Sequence, residues 1–198
     1  MFSKELTKRL TSVTDFNRYV TDAVRDFGAM RKGLKTGLVT PTLRDKIMLA
    51  VTEVNGCRYC SYMHAKNAIK SGVQESEIEA LLSGDLSNAT AEEATALLFA
   101  QHYAETLGKP DQQTLDNLFA VYGEDKVRGI LATTRAIMVG NVHGIAIDLL
   151  LARLRGKKDP QSSLTTEAAI TFGIILFLPM ALLKKLLGLH RPNILAQS

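Results

Sequence analysis

The 198-residue chain has no tryptophan and only two cysteines. It also has no run of lysine and arginine interleaved with aromatics, and its formal net charge of +4 is small and dispersed. The basic stripe that would track a phosphate backbone is absent, so no nucleic-acid partner is expected. No β-branched run alternates over a full strand length, which argues against a sheet. Met1 to Arg9 contain no apolar h-region of a secretory signal, and a single close cysteine pair fits a reducing compartment better than a disulfide framework. The expected location is therefore cytoplasmic.

What is present is helical periodicity. Val13, Phe16, Val20, Val24, Phe27 and Met30 recur every three or four positions, predicting a helix from about Ser12 to Leu34, broken by Gly33 and Gly37. Thr40 and Pro41 have the residue types of an N-cap and first helical position, opening a helix to Asn55. Further helices are expected over Cys57–Ser71, Gln74–Ser83, from the capping box Thr90/Glu93 to Leu107, from Asp111 to Tyr122, and from Glu124 to Arg155. The last is read as interrupted or tightened near Gly140 and Gly144. The expected fold is an all-α bundle, with residues 1–155 as one domain and 156–198 as an extension.

The two cysteines lie in the stretch Glu53-Val-Asn-Gly-Cys57-Arg-Tyr-Cys60-Ser-Tyr-Met-His64. Thiols three residues apart close a disulfide with little backbone movement, so the pair can cycle between dithiol and disulfide. Gly56 is suited to end one helix in the left-handed conformation. A new helix starting at about Cys57 puts both sulfurs in its first turn, where unpaired N–H groups favour a thiolate. His64 follows Cys60 by one turn on the same face, and Glu53 can face the pair from the preceding helix. Zinc held by Cys57, Cys60, His64 and Glu53 is the rival use, weakened because structural zinc sites draw ligands from separated segments. Packing is the default for Tyr59 and Tyr62, and a buried core or interface position for His102 and His143. His143 can also reach the site from the long helix. His190 is expected to be exposed.

Beyond a linker at Gly156–Ser163, residues 168–183 are uncharged and mostly aliphatic, contain Pro179, and end at Lys184-Lys185. Sixteen residues give roughly 24 Å of helix, short of the roughly 30 Å hydrocarbon core. The first reading is an oligomer interface, and the second a contact with a membrane surface through residues 168–189, making the protein peripheral to the membrane.

Around the cysteines the chain resembles the alkylhydroperoxidase D-like members of the carboxymuconolactone decarboxylase family. The resemblance rests on Glu53, Cys57, Cys60 and His64, read as E-x-x-x-C-x-x-C-x-x-x-H. Thr40-Pro41-Thr-Leu-Arg, Asn55-Gly56 and Gly72-Val-Gln-Glu-Ser-Glu-Ile-Glu-Ala-Leu fit as well. It covers roughly residues 34–150. It implies an all-helical oligomer that reduces peroxides with electrons from an external thiol or dithiol reductant protein. It needs no cofactor beyond the redox-active Cys57–Cys60 disulfide. By that resemblance Cys60 is the peroxidatic thiolate, Cys57 the resolving one, and His64 with Glu53 the proton relay; the proximity of His64 to Cys60 supports the same order. The alternatives are a C-x-x-C disulfide oxidoreductase that does not act on peroxides, a cofactor-free enzyme like the family's decarboxylases, and a metal-stabilised or membrane-docking helical module. The decarboxylases lack the cysteine pair, which argues against that reading.

Overall fold

Among the described residues, six of the eight helices start at a side chain that accepts an otherwise orphaned first-turn N–H: Ser12, Thr40, Cys57, Thr90, Asp111 and Ser163. A computed structural model describes residues 10–189 and Ile194; His190 lies outside the described residues. The order is α1 (Val13–Thr36), α2 (Pro41–Asn55), α3 (Arg58–Lys70), α4 (Glu75–Ser83), α5 (Ala91–Glu105), α6 (Gln112–Val121), α7 (Glu124–Leu154) and α8 (Leu164–Leu186). No strand occurs among the described residues, so the fold is all-α.

The long helix α7 is the axis of the bundle. It packs along α1, α2 and α8, and α3 meets it near its middle. Its buried stripe of Val127, Ile130, Leu131, Met138 and Val142 joins Phe16, Tyr19 and Val20 of α1 and Ile47, Ala50 and Val51 of α2 in one core. Contrary to the sequence reading, α7 is not interrupted at Gly140 or Gly144. Gly33 does not break α1 either. The helix runs on to Thr36 and ends at Gly37 in the left-handed conformation. A Cβ at Gly33 would meet the Gly129 Cα at 3.4 Å and a Val39 methyl at 3.3 Å, so this glycine sets how closely α1 approaches α7.

Buried charged side chains tie the helices together. Arg135 of α7 pairs with Asp26 of α1 and donates to the Tyr103 hydroxyl of α5 at 3.1 Å. Lys46 of α2, almost fully buried, bridges Glu77 of α4 at 2.6 Å and Glu93 of α5 at 2.9 Å.

The C-terminal helix starts at Leu164, four residues before the expected uncharged run, and continues through Pro179. Glu167 is buried in its first turn and accepts from Arg153 of α7 at 2.7 Å through both carboxylate oxygens. The Arg153 guanidinium holds the Glu167 carboxyl below its ordinary range. Ile170 and Ala181 are buried against α1 and α7. Both α7 and α8 are long and apolar enough to cross a membrane by length and composition. For α7 the same apolarity is used by the protein core. Helix α8 is covered on one side only.

Candidate active site

The break between α2 and α3 shapes the site. Gly56 takes φ 71°, and its N–H bonds back to Thr52 and Glu53 carbonyls, closing α2. Cys57 is the N-cap of α3, and its Sγ accepts from the Cys60 N–H at 3.3 Å. The two cysteines are joined as a disulfide, with Cα atoms 5.3 Å apart. Both sulfurs therefore sit at the positive end of a helix, where a thiolate is favoured on reduction.

They differ in access. Cys57 is 1% exposed and Cys60 7%. Cys60 lines a cavity of about 510 Å³ between α3 and α7, and Cys57 is not among its lining residues. From α3 come Tyr59, Cys60, Met63 and His64. From α7 come Gly140, His143, Gly144, Ile147, Asp148 and Leu151, a stripe repeating every three or four residues. Tyr59 is 68% exposed and Tyr62 is also exposed, so neither packs in the core as expected by default. Arg58 and Asp148 approach to 3.3 Å between the two helices.

The α7 glycines are part of this wall. A Cβ at Gly144 would lie 3.1 Å from the Cys57 Sγ and 3.2 Å from the Cys60 Sγ, so a larger residue here requires the sulfurs to shift by a few tenths of an ångström. The nearest atom to a Cβ at Gly140 is 3.8 Å away, an ordinary contact. Gly140→Ala is expected to stabilise by about 1 kcal/mol, the helix-propensity gain. Gly144→Ala adds an overpacking cost of about 1–3 kcal/mol that offsets or exceeds that gain. Calorimetry of the two oxidised variants checks the order, and equal melting temperatures would show that the sulfurs yield freely.

His64 lies on the face of α3 that carries Cys60. Burial pushes its imidazole below the ordinary value; the Asp45 carboxylate opposes that shift and the Arg44 guanidinium adds to it. Asp45 is 1% exposed, on α2. Its Oδ1 accepts from Arg44 Nε at 2.9 Å and Nη2 at 2.8 Å. Its Oδ2 and the Nδ1 of His64 are both buried, with no hydrogen-bond partner among the described residues. The sequence reading passed over Asp45. The signal was weak: a charged triplet, Arg44-Asp45-Lys46, inside a helix buried nearly all round.

The Glu53 carboxylate oxygens lie 3.6 and 3.7 Å from where a Cβ of Gly84 would stand, at the end of α4, and Glu53 is not among the residues lining the cavity. Glu53 follows Asp45 by eight residues, so the two are about 12 Å apart along α2 and turned about 80° from each other. His143 does line the cavity. Its Nε2 lies 3.0 Å from the Thr171 carbonyl of α8, and its ring stacks on Phe16 with centroids 6.0 Å apart. His102 is half-buried elsewhere, its Nε2 2.9 Å from Asp111 Oδ2. Among the described residues, no group of three or more His, Cys, Asp or Glu is arranged to hold a metal ion.

Neither a curated protein nor a solved structure matches the chain. The model of the carboxymuconolactone decarboxylase family matches residues 21–102, from within α1 to within α5. That stretch contains Asp45, Glu53, both cysteines and His64, whereas the α7 wall of the cavity lies beyond it. Over residues 21–102, then, the chain is similar to the carboxymuconolactone decarboxylase family, with an all-α architecture consistent with that family's fold.

Proposed function

We propose that the protein is a thiol peroxidase of the alkylhydroperoxidase D-like kind, working through a Cys57/Cys60 dithiol–disulfide cycle. The observation that carries this reading is the asymmetry of the pair: both sulfurs sit at one helix start, Cys57 as its N-cap, and only Cys60 lines a cavity, which it shares with His64.

The cycle starts from the dithiol. His64, kept neutral near pH 7 by burial, accepts the Cys60 proton. The Cys60 thiolate attacks one oxygen of the peroxide, the O–O bond breaks, and the departing alkoxide takes the proton back and leaves as an alcohol. Cys60 is now a sulfenic acid. Cys57 attacks that sulfur, its own proton leaves with the hydroxyl as water, and the disulfide forms. An external dithiol then reduces the disulfide by exchange and is itself oxidised. No cofactor or metal takes part in these steps.

The carboxylate of the relay is assigned here to Asp45 in preference to Glu53. The Asp45 Oδ2 and the His64 Nδ1 are both buried without a partner among the described residues, and the Asp45 charge favours the protonated imidazole. His143, anchored by the Thr171 carbonyl, completes the opposite wall of the cavity.

The test is stoichiometric. The reduced protein is mixed with one equivalent of an organic hydroperoxide, and thiols and alcohol are counted. Two thiols lost and one alcohol formed per chain, with turnover on adding a dithiol, is the expected result. Peroxide left unconsumed while small disulfides are reduced would move the assignment to a disulfide oxidoreductase.

A further inference from the structure

Helix α8 is apolar on every side, yet the protein covers only one of them. Glu167, Ile170, Ile174, Phe177 and Ala181 face α1 and α7 or pack on the core. The opposite face holds Phe172, Ile175, Leu176, Leu182, Leu183 and Leu186, with Phe172 61% and Ile175 74% exposed. Between Ala168 and Leu183 it has no charged side chain at all. A contiguous apolar face of this length marks an interaction surface.

The charges around the face decide between occupants. Lys184 and Lys185 stand at one end, and the exposed Arg155, Lys157 and Lys158 precede the other. The carboxylate of α8 is Glu167, buried and committed to Arg153. A two-fold pairing with a second copy would set lysines against lysines if the helices ran parallel. If antiparallel, it would set Lys184 and Lys185 against the turn before α8, where Arg155, Lys157 and Lys158 outnumber the one carboxylate, Asp159. Neither arrangement brings an exposed carboxylate of α8 to the rim, and like-charge contacts oppose association. A bilayer with anionic headgroups matches both ends and the apolar middle together.

We infer that α8 is a membrane-docking helix that lies in the plane of an anionic lipid surface with its Phe172/Ile175/Leu182 face among the acyl chains. A crevice of about 370 Å³ between α1, α7 and α8 adds depth to this face. Its walls include Val24, Phe27, Leu178 and Leu182, with Lys185 at its rim. Lys185 Nζ donates to the Val24 carbonyl there, holding its aliphatic stem over the apolar wall. Docking in this pose brings the lipid close to the cysteine cavity. Thr171, the residue before Phe172, is the one whose carbonyl anchors His143, and the exposed Leu151 and Leu154 of α7 continue the apolar surface from the cavity rim.

The experiment is flotation of the full-length oxidised protein with vesicles of phosphatidylcholine, with and without phosphatidylglycerol. Binding is expected to the phosphatidylglycerol vesicles, to weaken with salt, and to be released by carbonate. Ile175→Glu and Leu182→Glu, at exposed positions that leave the core intact, should each weaken binding at least tenfold with the helical circular dichroism unchanged. Removing Lys157, Lys158 or Lys184 should cost about fivefold each. Three results overturn the proposal. One is no binding to either vesicle. A second is resistance to carbonate, which would make α8 a spanning helix. The third is a dimer in light scattering that Ile175→Glu dissociates while vesicles bind nothing, which would assign the face to a second copy.

Discussion

Cys60→Ser is expected to abolish peroxide reduction, whereas Cys57→Ser should still consume one equivalent of peroxide and then stop. The two sulfurs are in opposite situations. Cys57 has the stronger electrostatic claim to a thiolate, since its Sγ accepts the Cys60 N–H at the helix cap. Cys60 has the access, because it lines the cavity and Cys57 does not. A nucleophile that cannot meet its substrate has no rate, so access wins for the first step, and the capped Cys57 is left to attack the sulfenic acid beside it. In Cys57→Ser that sulfenic acid has no resolving partner and should be trapped by dimedone at Cys60, read by mass spectrometry. Full activity in Cys60→Ser would reverse the roles and make the N-cap sulfur the peroxidatic one. Both variants remove only the covalent bridge of a short loop, so a cooperative thermal transition is the control for folding.

The second large effect concerns the relay. His64→Gln is expected to lower the rate with peroxide by about 10²–10⁴-fold, the usual contribution of a positioned acid–base group. Asp45→Asn should lose a comparable factor and Glu53→Gln much less, because Asp45 acts on the His64 imidazole and the Glu53 carboxylate lies beside Gly84. The sign of the pH effect is fixed by the same geometry. His64 titrates below the ordinary histidine value, so it is neutral at pH 7 and the rate falls only as pH drops through its lowered value. Removing the Asp45 charge takes away what opposes burial, so the acid limb of the remaining activity should move to still lower pH. A Glu53→Gln variant as damaged as Asp45→Asn, with the acid limb unmoved in the latter, would return the relay to Glu53. Stopped-flow oxidation of the reduced proteins across the acid range makes the comparison without dependence on a reductant.

Helix positions and the cysteine motif were legible in the chain because capping and periodicity act over a few residues. Thr40-Pro41, Asn55-Gly56, the Thr90/Glu93 box and Asp111 each state a boundary that the structure keeps. The same short-range reasoning misjudged glycines. Gly33, Gly140 and Gly144 look like helix breakers from propensity, yet each lies inside a continuous helix. At Gly33 and Gly144 the reason is a close neighbour from another element, the Gly129 backbone in one case and the two sulfurs in the other.

By itself the sequence determined that the protein is all-α, that its two thiols begin a helix together, and that an imidazole follows one turn later. Only the tertiary structure decided what forms the other half of the cavity, and it sets a second carboxylate, Asp45, in the electrostatic surroundings of that imidazole. The turn at Gly56 separates α2 from α3, and across it the Asp45 carboxylate acts on the His64 imidazole, while the Glu53 carboxylate lies beside Gly84 at the end of α4. The wall from Gly140 to Leu151 reaches the cysteines across some eighty residues of chain, through a helix whose own pattern shows only that it is buried. The exposed face of α8 was settled in the same way: composition made the helix apolar all round, and packing on α1 and α7 chose the side left open.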